Sequence, residues 1–360
     1  MRGAGGELIG IQYLRGVAAL MVVVFHLLQP LGRLGYSGGW PVGLAGGVDI
    51  FFVISGCIMW ITTDLRRQTP LRFLALRCIR LVPLYWTVTT FTLALLLLAP
   101  GLLQTARFDP PHVIASYLFV AWPHPVIRST LQPLVIPGWT LNYEMYFYLL
   151  FALTLSLGWR RRIASAAGGL ALVVVAGWLA QLTPASIAGS YTAPILLEFA
   201  YGLVIGCLFT RTAALHRLPA RIAGLLVAGG LAAMLALPAV QPDWPRLAAW
   251  GLPAAAILSG TLALELQGRV PRLRLPYVLG ASSYSLYLVH PMCLAAMTRG
   301  WMTLGLTGEH NLLAFGIVAV VGCCLAGAAV FLLAEAPLQR LLRPRSAPAL
   351  ATRLGMQAAP

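Results

Sequence analysis

Lysine is missing altogether: the 25 basic residues of this 360-residue chain are all arginine. Acidic residues number only ten, and charged residues of both signs make up 10% of the chain against 59% hydrophobic ones. With so little charge, a water-soluble domain of appreciable size is excluded, because nothing would cover its apolar surface. The six cysteines (Cys57, Cys78, Cys207, Cys293, Cys323 and Cys324) show no CxxC pair and no metal-ligand spacing. They fall in or at the ends of hydrophobic stretches, which excludes a disulfide or zinc framework and makes them small packing residues. No metal and no tightly bound cofactor is expected. The arginines are scattered over short loops with no soluble fold to present them, so nucleic acid is not an expected partner.

Apolar windows of roughly 17 to 22 residues, the length that crosses a hydrocarbon core, recur throughout, and the mean hydropathy is +0.82. Lipid offers the backbone no hydrogen-bond partner, so these windows are predicted to be helices. Spans are expected near 11–28, 47–63, 81–99, 139–157, 163–180, 192–209, 222–238, 246–264, 276–297 and 312–333. The fold class is therefore all-α: a polytopic integral membrane bundle of about ten transmembrane helices, both termini cytoplasmic. Residues 1–340 form the expected membrane domain, and 341–360, rich in Pro and Ala, an expected disordered cytoplasmic tail.

Arginine placement tests that threading. With a cytoplasmic N-terminus, only Arg33, Arg107, Arg128, Arg246 and Arg299 fall outside, and the rest fall inside, Arg160, Arg161 and Arg162 among them. The net charge of +15 is thus a topology signal first and an attraction for anionic membrane lipids second. The expected location is the bacterial inner membrane. Segment 112–122 is apolar but short and is fenced by Pro110, Pro111, Pro123 and Pro125. Counting it as a span would send Arg160–Arg162 outside, so it is expected as a re-entrant or interfacial piece of an outer loop over about 100–138. The first helix holds Arg15 and His26 inside its apolar stretch with no small-residue cleavage site after it, and reads as a retained helix.

Ionisable groups at membrane depth are costly, and each is a functional candidate. Arg15 and His26 are eleven residues apart, three turns plus roughly 20°, so they share one helix face with a rise of about 16 Å between them. Asp49 enters the second helix at the depth His26 reaches from the other side. A carboxylate beside an imidazole fixes its tautomer and stabilises its protonated form, as a base needs. Glu144 lies about a turn into the fourth helix and His290 high in the ninth, so four titratable groups are expected to converge. The plainer alternatives are interhelical hydrogen bonding for the histidines, water-bathed helix ends for the carboxylates and snorkelling for Arg15. His112, His124, His216 and His310 fall in loops and carry no expected role. Arg77 and Arg80, three apart, share a face at the cytoplasmic side. Paired guanidinium groups there suit a phosphorylated ligand, although a purely topogenic cluster has the same spacing.

Six features in order resemble the membrane acyltransferase-3 family, and within it the exopolysaccharide O-acetyltransferase branch. They are the Arg15-to-His26 spacing, GGVDIFFVISG, the RCIR pair running into RLVPLYW, PGWTLNYEMYFYLLF, SYSLYLVHP and AEAP. The resemblance extends over nearly the full length. It implies an O-acyltransferase with cytoplasmic acyl-CoA, acetyl-CoA foremost, as co-substrate. The implied acceptor is a hydroxyl of a cell-surface or exported glycan or of a lipid-linked saccharide. On the same resemblance Arg15, Arg77 and Arg80 look like donor-binding arginines and His26 like the catalytic histidine. Asp49 as its partner is a geometric reading, and Glu144 is the third expected catalytic group. Family members often carry two adjacent acids where this chain has Asn142, Tyr143 and Glu144, so a role needing both is not expected.

Tyr284, Ser285, Tyr287 and His290 are expected to bind substrate, the first three as donors to a developing oxyanion or else as interhelical packing. Direct attack and an acyl-histidine route both fit. A competing class is a proton-coupled transporter or flippase of a lipid-linked glycan, with His26, Asp49 and Glu144 as the relay. The absence of recognisable inverted repeats weighs against it. A non-catalytic export scaffold gives no reason for Arg15 and His26 to share a face.

Overall fold

A computed structural model describes residues 7–102, 106–127 and 129–342, and every regular element among them is helical. The order is α1 (Ile9–His26), α2 (Gly47–Leu65), α3 (Pro70–Leu98), the short α4 (Pro110–Tyr117), α5 (Trp139–Leu153), α6 (Trp159–Leu179), α7 (Leu196–Arg211), α8 (Ala220–Val240), α9 (Leu252–Leu266), α10 (Arg274–Ala281), α11 (Ser283–Thr303) and α12 (Leu312–Val330), with α13 (Ala336–Leu342) last. Among the described residues, seven helical stretches are long and apolar enough to cross a membrane: Ile9–Arg33, Val42–Leu65, Pro70–Leu98, Trp159–Leu179, Ala220–Val240, Leu247–Leu266 and Glu309–Leu342. The other three expected spans exist as helices but differ in kind. α5 and α7 have 15 and 16 residues, and the stretch over 276–297 is broken at Ser282 between α10 and α11. Leu98, Leu153 and Leu313 are 85%, 76% and 77% exposed, an arrangement that only lipid can solvate, and the chain is a multi-pass membrane protein. The expected tail lies almost wholly outside the described residues.

Segment 112–122 does not span. Its only helix is the eight-residue α4, with Pro110 at the first position and the Asp109 carboxylate accepting the His112 backbone N–H at 3.2 Å. The chain after it returns to α4, where the Gln132 carbonyl lies 2.8 Å from His112 Nε2 and Leu134 N–H donates to Ser116 Oγ at 2.9 Å.

The described residues fall into two compact units, Met1–Ile54 with Arg211–Pro360, and Ser55–Thr210. In the first, α1 packs against α9, α10, α11 and α12. Its free N-terminal amides are capped from afar: Glu265 at the end of α9 accepts Ile9 N–H at 2.6 Å and Gly10 N–H at 2.8 Å, placing negative charge at the positive end of the helix. Tyr13 ties the same end to the following loop through the Pro271 carbonyl at 2.7 Å and the Leu273 N–H at 2.5 Å. One turn on, α1 and α10 touch backbone to backbone, since any side chain at Gly280 would overlap the Gln12 carbonyl, the close approach that small residues permit between membrane helices. Further along, Ala19 and Val23 of α1 and Leu27 just past its end meet Leu286 and Leu294 of α11 and Phe315, Ala319 and Cys323 of α12 in one buried core. The i, i+4, i+8 spacing on α1 and α12 makes each contribution a single stripe.

In the second unit, α2 and α7 meet at Gly56, where an added side chain would overlap the Phe199 carbonyl. A stack of Phe147 on Phe199, centroids 4.3 Å apart, continues that contact into α5. Asp64 at the far end of α2 accepts from Arg162 at 2.7 Å and from Thr210 Oγ1 at 2.7 Å. Trp60 donates to the same Thr210 hydroxyl at 3.0 Å, and the Arg162 guanidinium lies 4.4 Å from the Trp60 ring centroid. Arg162, counted above only for topology, is thus a buried structural cation.

Candidate active site

His26 is the last residue of α1, on the turn after the Val23 core contact. Its Nδ1 lies 2.8 Å from the Val22 carbonyl and 3.3 Å from Nε2 of His290, with ring centroids 4.9 Å apart. His290 is fully buried on the α11 face that carries Leu286 and Leu294, and its own Nδ1 lies 2.8 Å from the Tyr287 carbonyl. Two of the four expected groups therefore meet directly. Arg15 sits on the same unbroken helix as His26, half-buried, with one terminal nitrogen donating to Gln12 Oε1 at 3.2 Å.

Asp49 does not hold the His26 ring. The hydrogen bonds of His26 run to Val22 and His290, while the fully buried Asp49 carboxylate accepts from Arg246 Nε at 3.0 Å and from its NH2 group at 2.6 Å. Arg246, one of the five arginines expected outside, precedes the π-helical turn Leu247–Gly251 and stacks over Trp250.

Glu144 belongs to the second unit. It accepts from Ser55 Oγ at 2.9 Å and from the Tyr148 hydroxyl. Ser55 lies eight residues into α2, about 12 Å along its axis, so Glu144 sits deeper than a helix-end carboxylate. Arg77 and Glu144 interact electrostatically, as do Arg77 and Arg80. Arg77 is buried rather than exposed at a surface: it donates to Thr62 at 3.2 Å, covers the Phe73 ring at 5.5 Å, and leaves its Nε without a hydrogen-bond partner among the described residues. Arg80, one turn on, is half-buried.

Tyr284, Ser285 and Tyr287 are all buried. Ser285 cannot serve a substrate oxyanion as arranged, because its hydroxyl donates to Glu335 at 2.5 Å. Gln339 holds the other Glu335 oxygen at 3.1 Å, and Glu335 closes the π-helical turn Phe331–Glu335. His290 likewise has both ring nitrogens engaged by protein, which is at odds with a substrate-binding role. Among the described residues no three His, Cys, Asp or Glu side chains gather as metal ligands would.

The segment between α3 and α5 holds a feature its composition hides. His112 and His124 are buried with ring centroids 5.1 Å apart. His112 Nε2 lies 2.8 Å from the Gln132 carbonyl, and His124 Nδ1 accepts the Val126 and Ile127 N–H groups at 3.2 and 2.9 Å. Burial and the neighbouring imidazole lower the His124 pKa to about 4.

Residues 8–331 match the acyltransferase domain family. The chain is 34% identical over 326 residues to the exopolysaccharide production protein ExoZ of Rhizobium meliloti (strain 1021), covering 90% of this chain and 96% of that one. No solved structure matches. A family match across nearly the whole chain and a relative aligned over nine-tenths of it agree with the motif order, and the chain is a member of the membrane acyltransferase-3 family, an acyltransferase.

Proposed function

We propose that the protein is an O-acyltransferase that moves an acyl group, acetyl foremost, from acyl-CoA to a hydroxyl of an exopolysaccharide or its lipid-linked precursor. In this reading it works in the bacterial inner membrane and takes its donor from the cytoplasm. The observation that carries it is the anchoring of His26: with Nδ1 against the Val22 carbonyl, the lone pair of the neutral ring is on Nε2, where a base needs it. Nε2 removes the acceptor O–H proton as that oxygen attacks the thioester carbonyl carbon. The C–S bond then breaks, and the imidazolium returns its proton to the departing thiolate, leaving an ester, a CoA thiol and a neutral histidine. Arg15 places a cation about 16 Å away on the same helix, about the reach of a pantetheine arm.

Arg77 and Arg80 are assigned to the donor's phosphates. The support is the buried Arg77 Nε, a hydrogen-bond donor with no acceptor among the described residues, which an anion would satisfy. Asp49 and Glu144 act here through their protein partners, and Tyr284 and Tyr287 keep the oxyanion assignment that Ser285 loses.

Transfer of radiolabel from acetyl-CoA to glycan in membranes, with donor binding measured on purified protein, tests the reading on wild type, His26→Ala and Arg77→Ala. The expected result is labelled glycan with wild type, none with His26→Ala despite intact donor binding, and weakened binding with Arg77→Ala. Transfer by His26→Ala at the wild-type rate would sink the mechanism.

A further inference from the structure

Proline 291 lies within α11 and has no N–H to give the carbonyl four residues back, that of Tyr287. The side chain of His290 fills that gap, its Nδ1 2.8 Å from the Tyr287 oxygen. A carbonyl only accepts, so Nδ1 carries the ring proton, and Nε2 of the neutral ring is a bare acceptor. That Nε2 lies 3.3 Å from His26 Nδ1. Two bare nitrogens facing each other would repel, so His26 also carries its proton on Nδ1, where the Val22 carbonyl at 2.8 Å shares it.

We infer that His290 is the positioning residue for His26, and that the gap Pro291 leaves in the α11 hydrogen-bond ladder sets both rings in the Nδ1–H tautomer, so that His26 presents a basic Nε2. This rests on His26 being the base, as proposed above. A carboxylate does this work in many histidine sites. Here neither ring bonds a carboxylate among the described residues, and Asp49 is engaged by Arg246. A neutral imidazole orients the base without a further charge at membrane depth, where charge is costly. The same arrangement explains why a histidine immediately before a proline is useful inside a helix: the proline frees the carbonyl, and the preceding side chain is close enough to take it.

Three substitutions in the purified protein, read by acetyl-CoA turnover, test the inference. His290→Phe removes the acceptor and is expected to lower kcat roughly 10- to 100-fold, as loss of an orienting partner behind a functional histidine does, with KM for acetyl-CoA unchanged. His290→Gln offers an amide oxygen near the Nε2 position and is expected to recover most of that loss. Pro291→Ala touches no ring: it returns an N–H to the Tyr287 carbonyl and is expected to lower kcat about 2- to 10-fold, the worth of one hydrogen bond, while making the helix no less stable. A merely structural role predicts the opposite for Pro291→Ala, unchanged turnover in an equally or more stable protein.

Nitrogen-15 spectra of histidine-labelled wild type, with His26 assigned by difference from His26→Ala, are expected to show the Nδ1–H tautomer. They decide the matter even where a variant does not fold. An Nε2–H tautomer at His26, or wild-type turnover in both His290→Phe and Pro291→Ala while His26→Ala is dead, overturns this inference alone. Full activity in His26→Ala instead removes the proposed base, and the inference with it.

Discussion

Arg246 holds Asp49 bidentately, Nε on one carboxylate oxygen at 3.0 Å and NH2 on the other at 2.6 Å, across 197 positions of sequence. The pair ties the start of α2 to the turn that leads into α9, within the first unit. Asp49 is fully buried and the Arg246 side chain 32% exposed, so the two partners are not equivalent. Arg246→Ala strands a buried carboxylate and is expected to cost about 3 kcal/mol, the low end for breaking such a pair. The double variant Asp49→Ala, Arg246→Ala should regain much of it. Unfolding in mixed detergent checks both. Additive losses would mean the two residues do not act as a pair.

Glu265 is expected to matter for the order of α1 rather than for its existence. Replacing it with Gln leaves one acceptor where there were two and removes the charge facing the helix N-terminus, a loss of about 1 kcal/mol. Amide exchange should quicken at residues 9–13 and stay slow near His26, where the core with α11 and α12 holds the helix. Uniform acceleration along α1 would contradict this local account.

At Gly56 the α2–α7 contact leaves no room for a Cβ. Gly56→Leu is expected to abolish recovery of folded protein from detergent extracts, whereas Gly169→Leu, with open space around it, should be neutral. Size-exclusion profiles of the two variants would tell.

The His124 imidazole is held neutral in the folded loop, with a pKa near 4 against about 6.5 for a free histidine. The unfolded loop therefore binds the extra proton first. The stability this group contributes is complete above pH 6.5 and is lost as pH falls toward 4, because protonated Nδ1 can no longer accept the Val126 and Ile127 amides. Limited proteolysis of the 119–135 segment should rise over that window. In His124→Asn, whose side-chain oxygen accepts but does not titrate, the rise should disappear.

The parts of the fold carried by local pattern were readable in advance. Apolar length located seven membrane-length helices among the described residues and the non-spanning segment before α5, while the other three expected spans proved shorter or broken; the eleven-residue interval placed Arg15 and His26 on one helix. What escaped is what depends on distant partners. Asp49 was assigned to His26 because both reach one depth, but depth does not specify azimuth, and Arg246 lies on the side that Asp49 faces. Glu144 does lie little more than a turn into α5, but its bonds to Ser55 and Tyr148 depend on packing that the sequence does not display. Glu265 and Glu335 fall one and two residues past the expected spans 246–264 and 312–333, so the rule that singled out Asp49 did not reach them. The tautomer relation between His26 and His290 was half visible in the His-Pro pair of SYSLYLVHP, but the other half needed the α1–α11 packing.

Because Arg15 and His26 ride on one uninterrupted helix, α1 behaves as a graduated ruler whose divisions are helical turns. Inserting one residue between them would swing His26 by 100° and carry it 1.5 Å further, off the His290 ring. Inserting a block of seven, two turns to within about 20°, would restore the azimuth while lengthening the reach by roughly 10 Å. With Arg15 as the donor-side cation and His26 as the base, as proposed above, the register of the first helix would set, in whole turns only, the length of carrier arm that fits between them.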